Sequence, residues 1–120
     1  MSIYQEIILD HYHAPQNFGR LKDSSQTVSL NNPLCGDSIT VDVLIKNDKI
    51  IDIRFEGVGC AISIASASLL TEKVKNKPKE EVILMNKDTV LELLGIELSP
   101  NRLKCALLPL EAIHKTLQIK

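Results

Sequence analysis

Three cysteines and one aspartate are the residues of this sequence best suited to chemistry. Cys35, Cys60 and Cys105 are separated by 25 and then 45 residues, and Asp37 follows the first of them after a single glycine. Thiolates bind metals and attack sulfur, and a carboxylate adds a hard oxygen ligand to such a set. We therefore expect these four residues to form one shared site, which would hold zinc tetrahedrally and iron less tightly than four thiolates would.

The local setting of each cysteine supports this prediction. Cys35 lies in the turn-forming segment 32–37, and Cys60 follows a Gly-Val-Gly run at the predicted start of a helix, where unpaired N–H groups favour a thiolate over a thiol. Cys105 has two basic neighbours in sequence, Arg102 and Lys104, which act in the same direction. Each side chain is therefore expected to project from the backbone instead of packing.

A plain structural role is the alternative for any one cysteine, because unpaired cysteines are often buried as small hydrophobic residues. The separations match no CxxC knuckle, so spacing by itself is a weak signal. An odd number of cysteines argues against a disulfide framework. The histidines make a poor metal pair, because His11 and His13 are two residues apart on a predicted helix, and we expect His114 to be solvated or packed.

The predicted strands come first and most of the helices follow. An amphipathic helix runs from Ile3 until Pro15 forbids its continuation, and 16–25 has the composition of a surface loop. A short strand at 27–31 precedes two alternating runs, 39–46 and 51–56, which predict an antiparallel hairpin.

The central helix is expected at 60–74, with small residues that allow close packing on the sheet. Shorter helices follow at 79–85 and 88–94, the second with Asp88 as its N-cap and Gly95 as its stop. Ser99 and Pro100 begin the last helix, which Pro109 either kinks or interrupts near Cys105. This order predicts an α+β fold.

Composition narrows the function classes. The chain has 120 residues, 44% of them hydrophobic, so we expect one domain spanning 1–120. A formal net charge of -1 and 3% aromatic residues disfavour nucleic acid as a partner. Neither a signal peptide nor a bilayer-spanning segment is predicted. We therefore expect a cytoplasmic location and no membrane partner.

Four motifs in order resemble one known family, namely the segments 10–19, 32–37, 57–63 and 102–105, and the resemblance covers almost the whole chain. The sequence is similar to the iron–sulfur cluster assembly scaffolds, the U proteins of the Isc, Nif and Suf systems. The resemblance implies a SufE/NifU-like α+β sandwich in which helices cover a three-stranded antiparallel sheet. It also implies that Cys35, Asp37, Cys60 and Cys105 are the ligands of a metal or of a transient [2Fe-2S] cluster.

The resemblance further implies that a cysteine desulfurase donates sulfur, with Cys105 as the acceptor, and that acceptor apoproteins receive the cluster. Such a protein is a scaffold more than a conventional turnover enzyme. Two departures keep a second hypothesis open, a zinc-dependent sulfurtransferase that relays persulfide sulfur: Lys104 stands where Isc-type members carry histidine, yet the Suf-type insertion is absent. Segment 98–102 also lacks the proline-rich pattern that Isc-type members present to an Hsp70-type chaperone, which argues against that partner.

Overall fold

The computed structural model describes residues 3–33 and 36–118, which form an α+β fold with one three-stranded sheet. The elements in chain order are α1 (Ile3–His13), β1 (Gln26–Asn32), β2 (Asp37–Lys46), β3 (Lys49–Val58), α2 (Ala61–Val74), α3 (Lys79–Ile83), α4 (Lys87–Leu94) and α5 (Pro100–Gln118). The predicted fold class and the order of elements are confirmed. The observed strands are longer than predicted, because pairing extends beyond the alternating residues.

The sheet is antiparallel, with β2 in the centre. Its hairpin turn is made by Asn47 and Asp48, both in the left-handed region at φ 54° and 60°, which is the geometry of a type I′ turn. At the other end of the hairpin Ser38 pairs with Val58, so β2 begins where β3 ends. That end of the sheet therefore brings Asp37 close to the start of α2.

Helix α2 is the centre of the molecule. It contacts α1, α4, α5 and β3, and most of its side chains are buried. Small residues such as Ala65 and Ala67 are fully buried in it, which agrees with the predicted close packing. Helix α5 contacts β1, β2 and α2, so the helices cover one face of the sheet.

The other face of the sheet is partly covered by the loop 14–25, which sequence reasoning treated only as a surface segment. Asp42 on β2 is 1% exposed, and it accepts hydrogen bonds from the Arg20 guanidinium (2.7 and 3.2 Å), the Leu21 N–H (3.0 Å) and the Thr27 hydroxyl (2.5 Å). Burial raises the pKa of this carboxyl, but these hydrogen bonds outweigh it and hold the pKa below its usual value. The loop is thereby anchored to the central strand.

The start of α4 differs from the prediction, and its end agrees with the prediction. Asn86, not Asp88, is the N-cap of α4; its side chain accepts the Asp88 N–H at 2.9 Å, and Thr89 completes a capping box. The prediction of Asp88 was wrong because the helix begins one residue earlier, at Lys87. Gly95 ends α4 in the left-handed region at φ 68°, as predicted.

Helix α5 runs through Pro109 to Gln118, so the proline does not divide it into two helices. Ser99 begins it as expected, since its Oγ accepts the Arg102 N–H at 3.4 Å. Among the helices of residues 3–33 and 36–118, none has the length and apolar character needed to cross a bilayer.

Candidate metal centre

Asp37 is the first residue of β2 and lies beside the start of α2. Its side chain is 2% exposed, and its Oδ1 accepts a hydrogen bond from the backbone N–H of Cys60 at 3.2 Å. That N–H is one of the donors at the positive end of the helix that have no acceptor within the helix itself. A carboxylate from the sheet is therefore held against the helix N-terminus.

Cys60 is the N-cap of α2, as its position in the sequence predicted. Its backbone is extended (φ -73°, ψ 168°), and its side chain makes no capping hydrogen bond. The residue is half-buried. The thiol can therefore point toward a ligand instead of back to its own helix.

Gly59 makes the approach of Asp37 to Cys60 sterically feasible. A Cβ at this position would lie 2.8 Å from the Asp37 Oδ1 and 2.9 Å from the Ser63 Oγ. Both distances are shorter than real Cβ contacts, so a side chain here would displace the carboxylate. The glycine was noted in the sequence as an interruption of the strand, but this role depends on a contact between β2 and the start of α2.

The third ligand comes from α5. One ligand atom each of Asp37, Cys60 and Cys105 lies within 4.8 Å of the other two. Two sulfurs bound to one tetrahedral zinc ion lie about 3.8 Å apart, so this set is within about 1 Å of coordinating geometry. Cys105 is only 5% exposed, so it is packed instead of projecting as the sequence suggested.

The predicted fourth ligand, Cys35, lies outside the described residues. It precedes Asp37 by two residues, and two residues of extended chain span at most about 7 Å. Thiolate and carboxylate are both zinc ligands, and thiolate also binds iron, so the chemistry of the donor set fits either metal.

Comparison with known proteins identifies the family. The model of the NifU-like N terminal domain matches residues 3–119. This chain belongs to that family. It is 37% identical to a zinc-dependent sulfurtransferase SufU of Bacillus subtilis, with 95% of this chain and 88% of that protein covered. It is 40% identical to an iron–sulfur cluster assembly scaffold protein IscU of Aquifex aeolicus, with 92% of this chain and 71% of that protein covered.

A solved structure supports the same assignment. A putative iron–sulfur cluster assembly scaffold protein for the SUF system, from Fervidobacterium islandicum, superposes on this NifU-like domain with a TM-score of 0.83 at 29% identity. The match covers 93% of this chain and 94% of that one. The fold expected from the resemblance is therefore confirmed.

Neither His11 nor His114 of this NifU-like domain belongs to the group of metal ligands, and two basic residues lie on the same helix as Cys105. Arg102 and Lys104 are exposed on the first turns of α5. The His11 Nδ1 and Ser68 Oγ are hydrogen-bonded at 2.6 Å, and the His114 Nε2 lies 3.0 Å from the carbonyl oxygen of Val82. Both histidines are thus engaged with other parts of the fold.

An open groove of about 620 Å³ adjoins the metal centre, because Gly59 lines it. Its walls include Tyr12, Phe18 and Val58, and Val58 is among the most exposed apolar side chains of the described residues. Phe18 is held there by the loop 14–25, where its ring packs edge-on against Phe55 at 5.4 Å. Sequence reasoning missed this groove, since its residues come from α1, the loop, the end of β3 and α2.

Proposed function

We propose that this NifU-like domain is an iron–sulfur cluster assembly scaffold. The observation that carries the proposal is the meeting of Asp37, Cys60 and Cys105, from three distant segments, with ligand atoms within 4.8 Å. Cys35 is proposed as the fourth ligand because it is two residues from Asp37. The cargo would be iron together with sulfide, assembled as a transient [2Fe-2S] cluster.

Sulfur would enter as a persulfide carried by a cysteine desulfurase, and two electrons per sulfur from a reductant, such as excess thiol that is oxidised to its disulfide, would later bring it to the sulfide level of the cluster. A thiolate of this protein attacks the outer sulfur of that persulfide; the sulfur–sulfur bond breaks, and its electrons leave with the donor's thiolate. We propose Cys105 as the acceptor. Cys105 is 5% exposed and Cys60 is half-buried, so among the described residues the donor would reach Cys105 past Cys60 or by displacing the exposed first turn of α5.

Asp37 is the residue suited to releasing the cargo. Its carboxylate is a harder and weaker ligand for iron than a fourth thiolate would be. Its Oδ1 also accepts the Cys60 N–H, so the carboxylate has a hydrogen-bond donor available whether or not it binds a metal. Acceptor apoproteins would take the cluster through the partly exposed side at Cys60, and the adjoining groove offers apolar contact for a partner.

Anaerobic reconstitution tests the proposal. The protein is incubated with ferrous iron, a cysteine desulfurase and cysteine, and the visible absorption and the transfer to an acceptor apoprotein are followed. The wild-type protein should form a transferable cluster. Asp37→Cys, which supplies a fourth thiolate, should hold the cluster more tightly and slow the transfer, whereas the control Asp23→Cys, on the exposed loop, should behave as the wild type. Absence of any cluster from the wild-type protein would refute the scaffold.

A zinc-dependent sulfur relay is the second candidate, favoured by the similarity to a sulfurtransferase of that kind. Cys35, Asp37, Cys60 and Cys105 would then hold zinc, which would keep the thiolates deprotonated. The alignment with that relative extends over 131 positions, more than the 120 residues of this chain. The relative therefore has residues within the aligned region that this chain lacks. Faster desulfurase turnover, with zinc retained and no cluster formed, would support the relay over the scaffold.

A further inference from the structure

A buried hydrogen bond joins the two helices that carry Cys60 and Cys105. The Ser66 hydroxyl on α2 donates to the carbonyl oxygen of Ala106 on α5 at 2.6 Å. Ser66 is 1% exposed and Ala106 is fully buried. The accepting carbonyl belongs to the residue that directly follows Cys105, so the bond acts on the turn that carries the thiol.

Pro109 weakens the backbone of that same turn. A proline has no N–H, so residue 109 cannot make the helical hydrogen bond to the carbonyl of Cys105, and its ring crowds that carbonyl. Helix α5 nevertheless continues through Pro109. The neighbouring helix therefore bonds to the Ala106 carbonyl, which is next to the carbonyl that cannot receive a hydrogen bond from residue 109.

The other buried side chains of α2 and α5 are mostly apolar. Leu70 and Ala67 on α2 and Ile113 on α5 are fully buried, and apolar contacts have no preferred direction. Close packing of these side chains restrains α5, but it does not define a bond direction between the two helices. A buried hydrogen bond has a required geometry, so it can fix how α5 is set against α2.

We propose that Ser66 is a positioning residue that sets the distance between the Cys60 and Cys105 thiols, an inference that rests on the proposed function of this site. Cys60 and Cys105 belong to different helices, so their separation follows the placement of α5 against α2. A metal or cluster site tolerates errors of only about 0.5 Å. Loss of the hydroxyl should therefore harm the site more than it harms the fold.

Bridging of the two thiols in the metal-free protein is the direct readout. The probe is a trivalent arsenical, which bridges two thiols only when they are close, and Cys35→Ala provides a background with two cysteines. Ser66→Ala should weaken bridging about tenfold, the size of loss seen when a group supporting a metal ligand is removed. Ser68→Ala is the matched control, since Ser68 is a buried serine of α2 that contacts His11 and Gln16 and not α5.

A pair of larger substitutions separates positioning from general destabilisation. Ser66→Thr keeps the hydroxyl, whereas Ser66→Val replaces the hydroxyl by a methyl group. The threonine and valine side chains are nearly equal in size. Bridging should be largely retained with threonine and lost with valine, while the unfolding midpoints of the two variants in urea differ only by the modest loss expected for one hydrogen bond. Cobalt binding in the presence of Cys35 should follow the same order, read from the intensity of the sulfur-to-cobalt absorption.

Equal bridging in Ser66→Ala and Ser68→Ala, or in the threonine and valine variants, would overturn the positioning role. The failure of the proposed function has a different signature. A wild-type protein that binds neither zinc nor a cluster, but whose arsenical bridging still depends on Ser66, would remove the scaffold and leave the positioning of the thiols standing.

Discussion

Substitution of Gly59 by alanine should damage the metal centre through a single methyl group. The backbone of Gly59 is not among the described positive-φ positions, so an alanine meets no conformational strain there. The added Cβ would instead lie 2.8 Å from the Asp37 Oδ1 and 2.9 Å from the Ser63 Oγ. The cost therefore comes from contact, and the group contacted is a proposed ligand.

The magnitude follows from these distances. Ordinary contact begins at 3.4 Å, so the Asp37 carboxylate must move by about 0.6 Å, slightly more than a functional site tolerates. Asp37 is 2% exposed and hydrogen-bonded to Cys60, so it cannot swing into solvent. We expect a loss of about tenfold in zinc affinity, with about 1–3 kcal/mol of destabilisation from overpacking.

Chelator competition at fixed zinc measures the affinity, and urea unfolding of the metal-free protein measures the stability. The Asp37→Ala background provides the control, because it removes the carboxylate atoms that the new methyl group would contact. Adding Gly59→Ala in that background should change zinc affinity by less than about twofold, a non-additivity expected of residues in contact. Wild-type affinity in Gly59→Ala, or full additivity of the two substitutions, would refute this account of the site.

Three further outcomes follow from the structure. Burial raises the pKa of Asp42, but hydrogen bonds led by that from Arg20 hold it below its usual value, so this carboxylate stabilises the fold above pH 4 and loses that effect as the pH falls through its lowered pKa. Asp42→Asn should therefore cost about 2 kcal/mol at pH 7 in urea unfolding, and the difference from wild type should shrink below about pH 4. Gly95→Ala should lower the melting temperature by about 5 °C or more, because φ is 68° and the new Cβ would overlap the Tyr4 ring. In a Tyr4→Ala background the same substitution should lower the melting temperature less, because the overlap is removed. Cys105→Ser should lower zinc affinity by more than about 100-fold in chelator competition with little change in the unfolding midpoint, and equal loss of both would contradict its role as a ligand.

The elements of the fold were predictable because they depend on local periodicity. Alternation in 39–46 and 51–56 predicted the hairpin, and Ser99 with Pro100 predicted the start of α5. The cap of α4 was predicted wrongly, since Asn86 and Asp88 are both good capping residues two positions apart and only the backbone geometry distinguishes them. The burial of Asp42 was missed because its partner Arg20 is 22 residues away.

The sequence by itself indicated which residues can bind a metal, and it predicted a turn ahead of a strand for the segment that contains Asp37 and helix starts for Cys60 and Cys105. Only the tertiary structure decided that Asp37, Cys60 and Cys105 meet, because segments 23 and 45 residues apart are brought together by sheet register and helix packing. Local propensity acts over a few residues, whereas a bond such as that from Ser66 to Ala106 exists only once two helices are packed together.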